Sequence, residues 1–172
     1  METLLEILKY TVPSIVMMVG VVVMMNHLFR QEGERRMFEM RRLNVNVIVP
    51  AKMRAYERLT LFLERITPES MFGRFDISGL TNIQLQQMLI RAVRDEFEHN
   101  VSQQIYVSSE AWVFVRNARE FMVQFINSCA VQCEPDGDSM QLAKMLLERY
   151  ASMENAPVQL ALDRLHQEFK MF

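Results

Sequence analysis

The residue pair with the clearest chemical potential is Glu96-x-x-His99, inside the stretch EFEHN at 96–100. Three residues apart on a helix, a carboxylate and an imidazole can face one metal ion or act as an acid–base pair in a cleft. Helical di-metal sites take a Glu-x-x-His from each of two helices and a further Glu from each of two others. The chain has one such motif, and its nearest counterpart is Asp163-x-x-His166. His166 adjoins Leu165 on a mostly polar side, and no inward Glu pair completes the set. As an acid–base pair, Glu96 and His99 come without a nucleophile or a Gly-rich phosphate loop. P-loop, G-x-G-x-x-G, G-x-S-x-G and H-E-x-x-H patterns are absent. Cys129 and Cys133 are too few for a disulfide framework and lack zinc-ligand neighbours, so they are expected to be small buried or half-buried thiols. No catalytic residue, metal ligand or cofactor is assigned.

The helix that carries EFEHN explains why the motif still stands out. On a wheel centred on Val93, the residues Leu85, Leu89, Ile90, Ala92, Phe97 and Val101 fall within about 100° of the centre. Glu96 and Asn100 fall at about −60° and −20°, inside that apolar arc, and His99 lies on its flank. Polar groups aimed at a core are costly unless they are bonded. The favoured reading ties Glu96 and Asn100 to a neighbouring helix, with Arg58 or the Tyr56 hydroxyl as partner. The competing reading is a membrane-tethered enzyme using Glu96 and His99 as acid–base pair or metal ligands.

Around this helix the pattern predicts an all-α bundle of four to five helices over 51–172. The first helix is AKMRAYERLTLFLERI, followed by a short turn that Thr67 caps with Pro68 at its first position. The second runs from about Asn82 to Gln104 behind a Thr81/Gln84 capping box. The third is capped by Ser108 or Ser109 and runs to about Val131. EPDGD forms a turn, a fourth helix covers about Ser139 to Tyr150, and Asn155 caps a fifth. Trp112 and the phenylalanines are expected in the core. Met140, Met145, Met153 and Met171 either fill that core or line an adaptable docking surface. SQQIYVSS reads as a surface loop of exposed polar groups for a partner to contact.

Upstream, YTVPSIVMMVGVVVMMNHLF between Lys9 and Arg30 carries no formal charge with His27 neutral. As a helix, twenty residues reach roughly 30 Å, the thickness of a bilayer's hydrocarbon core. Residues 1–29 are therefore expected to be a single transmembrane anchor, with Tyr10, Pro13, Gly20 and Phe29 in it. A cleaved signal is not expected, since Glu2 and Glu6 replace a basic n-region and no small-x-small site follows. Arg30, Arg35, Arg36, Arg41 and Arg42 after the span outweigh Lys9 before it. Cationic flanks stay in the cytoplasm, which places the N-terminus outside and the helical domain inside. Residues 30–50 are expected to be a charged juxtamembrane segment and then an extended connector, LNVNVIVP, whose alternation is strand-like and ends at Pro50. The chain has one glycine in the span and no Gly-x-x-x-Gly pair, so self-association would run through NVNVIV.

Composition agrees. Half of the 172 residues are hydrophobic, with five Gly and five Pro, which excludes a disordered or fibrous chain. A net charge of −2 offers no general attraction for nucleic acid.

Two stretches, AYERLTLFLERITPES and EFEHNVSQQIYVSSEAW, resemble a family of short, membrane-anchored proteins of Bacteroidota. The resemblance implies a bacterial inner-membrane protein with its domain in the cytoplasm. It carries over no activity and no site residues. The expected role is a non-catalytic adaptor or structural subunit whose partners are the lipid bilayer and a docked protein or a second copy.

Overall fold

The computed structural model describes residues 17–27, 29 and 48–171, all-helical and without a strand among them. The chain divides after Pro50 into two units. In the first, residues 17–27 are helical and every one of their side chains is exposed. Among the described residues no helix is long and apolar enough to cross a membrane. Tyr10 and Pro13 of the expected span, the five flanking arginines and connector residues 43–47 lie outside the described residues. The end of the connector differs from expectation: residues 48–50 are helical, not extended. Pro50 stands in the first turn of a helix, where its missing N–H needs no partner.

Helix α1 (Val49–Arg65) leads into the second unit and buries Ala55, Tyr56, Leu59, Phe62 and Leu63 at helical spacing. The short α2 (Pro68–Phe72) starts at Thr67, whose hydroxyl accepts from the Ser70 N–H. Helix α3 (Asn82–Asn100) opens with the full Thr81/Gln84 capping box. It ends four residues before the sequence expectation, where Val101–Tyr106 tightens into a 3-10 helix. Helix α4 (Ser109–Ala130) is capped by Ser108, and α5 (Ser139–Ala151) by Asp138. Helix α6 (Pro157–Lys170) has no side-chain cap; Ala156 takes that position and Pro157 is the first helical residue. Asn155, expected as the cap, adopts φ 57° instead, a left-handed turn that Asn tolerates well.

Helix α4 is the centre of the packing, against α3, α5 and α6. The core runs through Leu59, Phe62, Leu89, Val93, Met122, Ile126, Leu142 and Leu165, all essentially inaccessible. Each such side chain contributes about 1.5–3 kcal/mol of burial. Phe62, Phe97 and Trp112 form an aromatic run, edge-on and then stacked, with Arg119 over the Phe97 ring. Cys129 and Cys133 are buried free thiols, and desolvation raises both pKa values, so neither is an activated nucleophile.

At the far end of α4, a buried amide joins two loops. Asn82, 1% exposed, donates to the Glu134 carbonyl at 2.8 Å and accepts from the Leu142 N–H at 3.2 Å. The Asn82 and Ile83 N–H groups donate to the Gly137 and Pro135 carbonyls. The Ser139 hydroxyl donates to the Ile77 carbonyl. The backbone donors left over at the start of α3 are thus met by the 134–137 turn.

Candidate functional site

The structure separates the three residues singled out in EFEHN. Glu96 is half-buried, and its Oε1 accepts from Arg65 Nη1 at 3.1 Å. Arg65 is the last residue of α1, so the partner helix is the one expected but the residue is not Arg58, which is exposed. Nor is it Tyr56, whose hydroxyl goes elsewhere. His99 is exposed, and its Nδ1 donates to the Asp95 carbonyl at 2.7 Å, one turn back on the same helix. That bond places a proton on Nδ1, since a carbonyl can only accept. Asn100 is buried, and its amide donates to the Glu96 carbonyl at 2.8 Å. It therefore ties to its own helix and not to a neighbour. There it satisfies a last-turn carbonyl, where the helix gives way to the 3-10 segment.

Glu96 and His99 line a cleft of about 350 Å³ with Arg65, Arg74 and Arg91 on its rim and Ile66, Met71 and Val93 in its lining. Two of the guanidinium groups are committed. Arg65 holds Glu96, and Arg74 donates to the Arg65 carbonyl at 2.5 Å and to the Ser70 carbonyl at 3.2 Å. Arg74 thus closes the open carbonyl ends of α1 and α2. Adjoining it along α3, and sharing Met88, Arg91 and Asp95 with it, a broader groove of about 800 Å³ runs past Gln84, Gln87 and Asn127. Among the described residues no group of three or more His, Cys, Asp and Glu could hold a metal ion. Asp163 takes a hydrogen bond from Gln159, and both Asp163 and His166 are exposed.

The tightest polar cluster is one that the sequence did not point to. Glu168 Oε1 accepts from the Tyr56 hydroxyl at 2.6 Å and from the Ser108 N–H at 2.8 Å. Its Oε2 accepts from the Ser108 hydroxyl at 2.5 Å. Burial alone would raise the Glu168 carboxyl, but the bonds from Ser108 and Tyr56, with Arg164 nearby, hold it below the usual carboxylate range. The Tyr56 phenol is pushed well above its ordinary value, first by burial and then by Glu168. One carboxylate so joins α1, the N-terminus of α4 and the C-terminus of α6, and the α4 dipole favours it there. Glu168 stands three residues after Leu165 and seven after Ala161, both buried, so a wheel of α6 would have flagged it as facing inward. Asn82 carried no such signal, because a polar residue at a helix start is ordinarily solvated.

The four C-terminal methionines do not form one surface. Met145 and Met153 pack against the core, whereas Met140 and Met171 are exposed.

Residues 2–172 match the model of a family described as a family of unknown function (DUF7935). No curated protein and no solved structure matches the chain.

Proposed function

The chain belongs to DUF7935, and we propose that within this family it is a single-pass membrane-anchored, non-catalytic adaptor or structural subunit. In this reading the anchor lies within residues 1–29 of a bacterial inner membrane. The N-terminus is outside and the helical domain of 51–172 is presented in the cytoplasm. The observation that carries it is the helix over 17–27. Apart from Gly20, its residues from Met17 to Met25 are all large and apolar, and all are exposed. A helix that is apolar all round needs apolar surroundings on every side. The uncharged run that contains it, from Tyr10 to Phe29, has the length of a bilayer crossing.

Two features support a non-catalytic role. The Glu96 carboxylate is held by Arg65 while the His99 ring is turned to its own backbone, so the pair does not converge on one point. The α3–α4 groove is long and open, lined by Gln, Arg and Met side chains, a shape suited to a partner helix.

The test is made on tagged full-length protein in native membranes. Carbonate washing should leave the chain in the membrane pellet. Purification in mild detergent should yield one stoichiometric protein partner and no transition metal. Release by carbonate overturns the anchor. A bound metal that is lost in His99→Ala overturns the non-catalytic role.

A further inference from the structure

The stretch SQQIYVSS has no part in the reading so far. Its first half lies in the 3-10 helix, with Gln103 buried and Ile105 turned outward at 74% exposure. A lone exposed Ile needs no explanation. This one borders a groove of about 620 Å³ whose other wall is α1, with Arg54, Glu57, Arg58 and Leu61, the last 48% exposed. At 100° per residue, Arg54, Arg58 and Leu61 fall within about 60° of one another, a single stripe of α1. Neither arginine has an ion-pair partner among the described residues.

We propose that this face, the Arg54/Arg58/Leu61 stripe of α1 with Ile105 and Tyr106 beside it, docks onto a lipid surface carrying anionic headgroups. The arginines meet headgroup phosphates, and Ile105 and the Tyr106 ring enter the interface. The inference rests on the membrane anchor proposed above.

Charge and tether select this occupant. Over 51–172 the domain has thirteen Lys and Arg against sixteen Asp and Glu, so as a whole it is repelled by an anionic surface. The acidic residues Glu134, Asp136 and Asp138 are exposed and lie past the C-terminus of α4. The 3-10 helix lies at its N-terminus, and twenty-two helical residues separate the two by about 33 Å. An anionic surface is therefore repelled at the 134–138 end, whereas the groove carries the two arginines against the single carboxylate of Glu57. In addition, α1 begins twenty residues after Phe29, so an anchor there keeps the start of α1 within at most about 70 Å of the bilayer. A soluble partner has no such standing advantage.

The experiment uses the full-length chain in nanodiscs of phosphatidylcholine alone or with about a third phosphatidylglycerol, read by amide hydrogen exchange. Residues 101–106 should gain protection in the anionic discs. Each arginine is worth about five-fold in docking, so Arg54→Gln with Arg58→Gln should lower the gain by up to about thirty-fold. Ile105→Asp should lower it too. All three positions are exposed, and unchanged exchange of the α4 core in the zwitterionic discs establishes that the variants are folded. Equal exchange of 101–106 in the two lipids overturns the proposal while leaving the anchor intact. Protection that grows with chains per disc, irrespective of lipid, marks a second copy on this face and also overturns it. A chain that does not enter the discs at all overturns the anchor and this docking face together.

Discussion

Removal of the Glu168 carboxylate is the most informative perturbation of the fold. Three hydrogen bonds converge on it at 2.5–2.8 Å, two from Ser108 and one from Tyr56. Bonds to a charged acceptor contribute about 1.5–3 kcal/mol each, but they are not additive here. Ser108 can turn to water, whereas Tyr56 is buried and its hydroxyl would be left unpaired. Desolvation of the carboxylate offsets part of the gain. Glu168→Ala should therefore cost about 3 kcal/mol, or roughly 10 °C in Tm for a domain of this size. Thermal unfolding of the full-length chain in detergent, followed by fluorescence of the single tryptophan, reports on the site directly. Trp112 lies one turn into α4 from Ser108 and stacks on Phe97. In a double-mutant cycle, Tyr56→Phe and Glu168→Ala should couple by about 1–2 kcal/mol. The folded pKa of Glu168 lies below its unfolded value, so its contribution is complete above about pH 5 and is lost as pH falls through the folded value. Glu168→Gln should thus flatten the acid limb of the stability curve. A loss below about 0.5 kcal/mol, or full additivity with Tyr56→Phe, would refute the view that this carboxylate holds three helices together.

The other substitutions separate loop closure, surface pairing and core packing. Asn82→Ala leaves the Glu134 carbonyl and the Leu142 N–H without their side-chain partner and should cost about 2–3 kcal/mol in denaturant melts. Gly137→Ala would place a Cβ 3.0 Å from Asn82 Nδ2 and 3.1 Å from the Glu134 carbonyl, and should lower the same midpoint by about 1–2 kcal/mol. Glu96→Ala breaks a pair whose arginine is 49% exposed, so the change in Tm should correspond to less than about 1 kcal/mol, and elemental analysis should show no change in metal content. Phe62→Ala empties a fully buried ring site next to Phe97, and should cost about 3–5 kcal/mol and perturb the Trp112 emission.

Much of the helical architecture was legible in the order of residues. Capping is local: Thr81 with Gln84, Thr67 with Pro68 and Ser108 each act within three or four residues, and all three start helices in the structure. The apolar spacing of α1 and α4 likewise names their buried faces, because a helix repeats its surface every 3.6 residues. Where local preferences compete, the pattern was less decisive. Pro50 can end an extended segment or sit in a first helical turn, and here it does the latter. The run after Asn100 continues a helical pattern in sequence but tightens into a 3-10 helix.

Pairings across the fold are another matter. A wheel says that Glu96 faces inward, yet not that Arg65 rather than Arg58 or Tyr56 will meet it. That choice depends on how α1 crosses α3, which no local rule determines. Tyr56 and Glu168 are 112 residues apart, and only the tertiary packing of α1, α4 and α6 brings the phenol, the Ser108 cap and the carboxylate to one point. The same holds for Asn82 and the 134–137 turn, and for the groove in which Ile105 faces Arg54 and Arg58. From the sequence alone came the helices, the caps at Thr67, Thr81 and Ser108 though not at Asn155, the inward faces and the uncharged run before them, since these follow from spacing and neighbouring side chains. The tertiary structure alone decided which polar groups meet and which apolar ones stay exposed, because those depend on crossing angles and burial summed over the whole domain.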